Sequence, residues 1–141
     1  MNDVEHYNKL KEYHDCIVSG TIKEIEKGAK TILFTMPVGT GRTRVMKRIA
    51  EELDKKKSAK FLFMTGPKAM VEQINRVIGN SSISYRALSF SQFEKECDDC
   101  LKLYDYIMLI NLYVSDRRKL TTMLADYNGV VISASSVPEG F

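Results

Sequence analysis

Tryptophan is absent from this 141-residue chain, and proline and cysteine each occur three times. So few prolines leave no material for a polyproline or low-complexity linker. Three cysteines cannot all pair with one another, which excludes a disulfide-stapled scaffold. No apolar run approaches the ~18 residues that a membrane span needs. The opening "MNDVEHYNKLKEY" has neither the basic start nor the apolar stretch of a signal peptide, so the expected location is the cytoplasm. Charge of one sign is not in excess either. The formal net charge is +3, which permits nucleic-acid binding without arguing for it.

What is present suits an ordinary globular protein. Hydrophobic residues make up 44% and charged residues 28%, and the length fits one domain over residues 1–141 with a sizeable core. The seven methionines read as core and helix-face filler, not as a cofactor box. Cys97 and Cys100 have the spacing of half a zinc site or of a redox pair. A second ligand pair is missing, because His6 and His14 lie far away in sequence, and Asp98 and Asp99 disfavour the thiolate. Free thiols are the expectation, a metal or redox role the alternative. The densest basic stretch, "RTRVMKRIAEELDKKKSAK", is broken by Glu51, Glu52 and Asp54; its Arg44, Lys47 and Arg48 offer positive charge for nucleic-acid contact and equally fit the solvated face of a helix.

Apolar runs alternate with helical patterns. Residues 10–27 space Leu10, Tyr13, Ile17, Ile22 and Ile25 as a helix, with Gly20 and Thr21 as a candidate break or new cap. Strands are expected at 31–35, 60–65, 83–88, 104–110 and 129–135. Helices are expected at 42–56, at 66–79 with Pro67 in the first turn and Gly79 at the end, and briefly after Ser89 or Ser91. A last one runs from about Asp116 to Tyr127. Strands separated by helices predict an α/β fold, a mostly parallel sheet of about five strands covered on both faces. Such sheets bind ligands beyond the carboxyl ends of their strands.

The stretch "TILFTMPVGTGRT" falls at the first of those ends. A phosphate loop needs glycines that let backbone N–H groups turn toward oxyanions, a helix amino terminus behind them, a lysine for the outer phosphates and a hydroxyl for magnesium. Gly39 and Gly41 supply the freedom, Thr40 lies between them, and Thr43 supplies the metal hydroxyl. Strict matching fails at Met36, where the pattern begins with glycine, and at Arg42, where it has lysine. A guanidinium keeps the charge but is a larger, planar fork. The fourth strand ends in Ile110 and Asn111, where nucleotide hydrolysis would place an acid to hold magnesium. Asp105 is at the wrong end of that strand, and Asp116 reads as a helix cap.

Taken in order, these blocks resemble the first RecA-like domain of superfamily 2 helicases and translocases, of the DEAD/DEAH-like group that includes the motor subunits of type I and type III restriction enzymes. The likeness runs from about Leu10 to Pro138. "LKEYHDCI" resembles the leading segment that contacts adenine in the family, with Tyr13 kept and His14 in the glutamine position; His14 equally fits an ordinary helix residue. "FLFMTGPKAMVEQ" resembles the block that lies against the nucleic-acid backbone, which implies that role for Lys68 and Gln73. "YRALSFSQF" resembles a later segment that approaches the strand. The family's acidic box falls on Ile110, Asn111, Leu112 and Tyr113, and all four differ. "SASS" resembles the motif that couples hydrolysis to movement, through Ser133, Ala134 and Ser135.

The resemblance implies a P-loop, RecA-like three-layer sandwich acting with ATP and Mg2+, with weak or absent binding expected here. It also implies DNA or RNA as a partner, and a second RecA-like domain or a partner subunit, since a helicase motor closes its nucleotide site between two domains. The chain stops just after the fifth strand, as an excised fragment or a stand-alone remnant would. The leading expectation is a helicase-like ATP-binding domain with hydrolysis impaired or lost. One alternative is a non-catalytic remnant that binds protein or nucleic acid. Another is an unrelated small P-loop phosphotransferase, for which no phosphoryl-transfer base is visible.

Overall fold

The computed structural model describes residues 3–37, 39–96 and 100–135. The chain runs α1 (Asp3–Glu26), β1 (Thr31–Thr35), α2 (Arg42–Lys56), β2 (Lys60–Thr65), α3 (Ala69–Ile78), β3 (Ser84–Ser89) and α4 (Phe90–Glu96). A 3-10 turn (Cys100–Leu103) then leads to β4 (Tyr106–Ile110), α5 (Val114–Met123) and β5 (Val130–Ser135). Cys97, Asp98 and Asp99, and the segment with Ser136 and Pro138, lie outside the described residues. Cys16 carries a free, exposed thiol.

The sheet is assembled from its most apolar strands. In β2 every residue after Lys60 is buried, and in β4 every residue after Tyr106. Such strands need helices on both faces, and therefore parallel pairing with helical crossovers. The five strands are all parallel, in the order β1-β5-β4-β2-β3. Alternate side chains divide the core in two. Phe61, Phe63, Met108, Ile110 and Ile132 meet Val18 of α1, the Val45–Met46–Ile49–Leu53 stripe of α2, and Ile74 and Ile78 of α3. On the opposite face Leu62, Met64, Ile107, Leu109 and Val131 meet Phe90 and Phe93 of α4 and Leu120 of α5.

Element ends depart from the sequence reading in ways that burial and turn chemistry explain. Helix α1 passes through Gly20 without a break, because Val18 and Thr21 on either side are buried and hold that face. Helix α3 begins after Pro67: Met70 and Val71 donate to the carbonyls of Pro67 and Lys68, so the proline shapes the entry turn instead of lying inside the helix. Asp116 is not the cap of α5. Asn111 turns the chain at φ 55°, so the helix starts earlier, with Tyr113 in the cap position and Asp116 in the first turn. There a carboxylate still faces the positive end of the helix dipole. Helix α5 also ends at Met123, before Tyr127.

The amino edge of the sheet is tied together by one residue. The Asp105 Oδ2 accepts the Lys60 amide at 2.8 Å, its own amide donates to the Lys60 carbonyl, and its carbonyl accepts the Val130 amide. Next to it, Tyr127 donates its hydroxyl to the Tyr104 carbonyl at 2.8 Å. Gly129 leaves room for that ring, since a Cβ there would overlap the phenol oxygen. Burial, then the charge of Asp105 and the neighbouring Tyr106, push the Tyr127 phenol well above the usual tyrosine range. Burial and Asp105 push Tyr106 in the same direction.

The sign follows from linkage. Above pH ~10 an unfolded tyrosine gives up its proton while these two keep theirs, so their contribution is complete below pH ~10 and is lost as pH rises. Tyr127→Phe is expected to cost about 1 kcal/mol at neutral pH, because the Tyr104 carbonyl loses its donor. The same variant should lose stability less steeply above pH ~10. Urea unfolding of both proteins at neutral and alkaline pH measures the two effects.

Candidate functional site

The chain leaves β1 for the α1–α2–α3 face and leaves β4 for the α4–α5 face. A crevice opens between the two departing loops at the carboxyl edge, as is usual where the winding reverses. A cavity of about 380 Å³ lies there, lined by Gly39, Gly41, Arg42, Thr43, Arg44, Met70, Gln73, Val77, Ile110 and Asn111. That volume falls in the range of small-ligand pockets.

The loop is held at both ends. Met36 is fully buried in the core, and its amide donates to the Ser135 carbonyl at 2.8 Å. The side chain that replaces the motif's first glycine is thus an anchor for the loop. Gly39 and Gly41 have φ of 82° and 91°, a left-handed conformation in which other residues are strained. Thr40 turns inward on the loop, its hydroxyl donating to the Pro37 carbonyl at 2.5 Å. His14 then reaches over from α1, and its Nε2 lies 2.5 Å from the Thr40 carbonyl. A carbonyl only accepts, so Nε2 carries the proton.

Two features leave positive potential unmatched inside this frame. Gly41 occupies the cap position of α2, and no side chain caps the helix, so its first amides keep their donor capacity. The Arg42 guanidinium is partly buried, and its Nη1 is screened from solvent with no hydrogen-bond partner among the described residues. Burial accordingly lowers its pKa from the usual arginine value. A screened guanidinium nitrogen without a partner is costly, and an oxyanion is the group that would relieve it.

The remaining predicted residues are placed as follows. Tyr13 sits beside His14 and donates its hydroxyl to the Thr35 carbonyl at 3.4 Å, so both contact the backbone around the loop. Gln73 lines the cavity itself, and Lys68 is exposed just before α3. Ser133, Ala134 and Ser135 form the end of β5, in register with Leu33, Phe34 and Thr35 of β1. Ala134 also pairs with Ile110 of β4.

At the acidic-box positions the side chains are structural. Ile110 is fully buried and Leu112 is buried under the opposite face. The Asn111 amide donates to the Met70 sulfur at 3.2 Å, and its carbonyl accepts the Gly66 amide. Tyr113 is 54% exposed and lies over Gly66, where a Cβ would come within 2.8 Å of the ring.

Sequence reasoning missed Met70, Val77 and Arg44 as cavity walls, since nothing local marks a helix face that turns toward a distant loop. It also missed the reciprocal cap of α4. Gln92 accepts from the Ser89 amide at 3.0 Å and donates its own amide to the Ser89 hydroxyl at 3.3 Å. The Ser-x-x-Gln spacing was a readable signal for that cap.

The matching family is the type III restriction enzyme res subunit, whose model covers residues 8–132, and the chain belongs to that family. Among solved structures it is similar to the UvsW helicase from bacteriophage T4, with a TM-score of 0.63 and 12% identity over 76% of this chain. It is also similar to a nuclease-deletion mutant of the Type ISP restriction-modification enzyme LlaGI in complex with a DNA substrate mimic, with a TM-score of 0.64 and 15% identity over 92% of this chain. At these identities the likeness establishes the fold alone, a RecA-like α/β domain. The chain spans 46% and 17% of the lengths of those two proteins.

The loop geometry makes a direct prediction. A Cβ on Gly41 would sit 2.9 Å from the His14 ring, at a φ that already disfavours side chains. Gly41→Ala should therefore destabilise the fold by about 1–3 kcal/mol, read by urea denaturation. Gly39→Ala meets no atom within 4 Å and should cost less, through its φ alone.

Proposed function

We propose that this domain binds the phosphate tail of ATP in the loop after β1, and that hydrolysis is impaired or lost. The observation that carries the reading is the unpartnered Nη1 of Arg42 beside the uncapped start of α2 in a cavity of about 380 Å³. Arg42 and the first amides of α2 would hold phosphate oxygens, and Gln73 would approach from α3. Tyr13 and His14 would border the adenine end, with His14 fixing the loop through Thr40.

The donor set suits phosphate better than magnesium. Thr43 offers one hydroxyl, and the end of β4 offers Ile110 and an asparagine already engaged with Met70. Magnesium held by one protein oxygen and water would supply charge neutralisation only weakly, and no carboxylate at those positions would orient an attacking water. In family terms the strand of Ser133, Ala134 and Ser135 would couple the site to a nucleic acid, DNA in the first instance, with Lys68 contacting its backbone. A second RecA-like domain or a partner subunit would complete the site. A non-catalytic binding module is the second reading, favoured by the same lack of acids.

Titration calorimetry with ATP, with and without magnesium, tests the proposal. Weak binding that depends little on magnesium is expected, reduced about tenfold by Arg42→Ala, which corresponds to roughly 1.4 kcal/mol, and kept by Arg42→Lys. Absence of heat at millimolar ATP would refute nucleotide binding. Magnesium-dependent phosphate release that disappears in Thr43→Ala would refute the loss of hydrolysis.

A further inference from the structure

A second concavity, of about 740 Å³, lies where α1, α2 and α3 converge, and its lining includes Lys11, Arg44, Lys47, Arg48 and Arg76. Arg44, Lys47 and Arg48 reach it from one face of α2, at the spacing that brings helical neighbours together. Lys11 joins them from α1 and Arg76 from α3. Two carboxylates temper this charge. Asp15 pairs with Arg48 at 2.7 Å, and Glu51, which also lines the groove, accepts the Ser81 hydroxyl at 3.2 Å. Lys11, Arg44, Lys47 and Arg76 make no ion pair among the described residues. Four unmatched cations drawn from three elements thus surround one open groove.

We propose that this groove binds the phosphate backbone of duplex nucleic acid. Its charge suits a polyanion, and its walls do not suit a base. Among the described residues Leu10 and Val77 are its apolar ones, no phenylalanine or tyrosine lines it, and the His14 imidazole is tied to the Thr40 carbonyl. Single strands are held largely by stacking on aromatic side chains, and none lines the groove among the described residues; duplexes can be held through phosphates alone. The track lies along the α1–α2–α3 face, and its lining does not include Lys68. Arg44 and Val77 line both the groove and the cavity at the loop after β1, so a bound backbone would run past the nucleotide site. The inference stands without the ATP reading, since charge and shape of the groove do not depend on it.

The test is fluorescence anisotropy with a short labelled duplex, without nucleotide or magnesium, across a salt series. Each phosphate contact contributes about −0.9 to the slope of log affinity against log salt. The triple variant Lys11→Gln/Lys47→Gln/Arg76→Gln, which leaves Arg44 in place, should bind at least tenfold more weakly at low salt. Its slope should be shallower by about 3, one unit for each contact removed. The charge-preserving variant Lys11→Arg/Lys47→Arg/Arg76→Lys should retain both affinity and slope. Wild-type affinity and slope in the triple variant would overturn the proposal, as would no duplex binding by the wild type at low salt. Equal loss in the charge-preserving variant would also overturn it. If the triple variant lost ATP binding and kept duplex binding, the groove would belong to the nucleotide site and the backbone track would be refuted.

Discussion

The constraint on which this architecture rests is the burial of β2 and β4 on both faces. Phe61, Leu62, Phe63 and Met64 alternate between two cores, and neither core can be left open to water. Two-sided burial requires helices on both sides, and a right-twisted parallel sheet supplies them through its crossovers. Once the strands are parallel, all carboxyl ends share one edge. The loop after β1, the Gly66 turn, Asn111 and the end of β5 are brought to one place as a consequence, without any of them attracting the others.

Within that edge, the site is fixed by backbone contacts more than by side-chain pairs. His14 holds the Thr40 carbonyl, the Met36 amide holds the end of β5, and the Gly66 amide holds the Asn111 carbonyl. The first ties α1 to the loop after β1, and the other two join the ends of paired strands. The Nη1 of Arg42 is placed inside this frame with no hydrogen-bond partner among the described residues. The acidic-box positions meanwhile serve packing and turning: Ile110 and Leu112 enter the two cores, and Asn111 takes the left-handed turn. The end of β4 is thus committed to packing and turning, while the end of β1 leads through two left-handed glycines into the start of α2.

Periodicity made the order of strands and helices legible, and the pattern of apolar runs implied parallel pairing. Strand order was not legible, because β5 inserts between β1 and β4 through contacts that no local pattern encodes. Element ends were legible where a backbone rule acts strongly, as for Gly79 after α3. They were less so where tertiary burial overrides propensity, as for Gly20 inside α1. The glycines and Arg42 of the phosphate loop could be read directly. The wall formed by Met70, Gln73 and Val77 could not, because it depends on how α3 lies across the sheet. The cationic groove shows the same limit: its α2 residues form a visible basic run, but Lys11 and Arg76 join them only in three dimensions.

Met36 carries a last implication. A flexible binding loop can usually fray while the rest of a protein stays intact, but this one begins with a residue wholly enclosed by the interior. Releasing the loop at that point would pull a methionine out of the apolar layer and break the link to the neighbouring strand. The stiffness of this loop is therefore inherited from the protein's deepest packing, and amide exchange at its base would be governed by cooperative unfolding instead of by local motion.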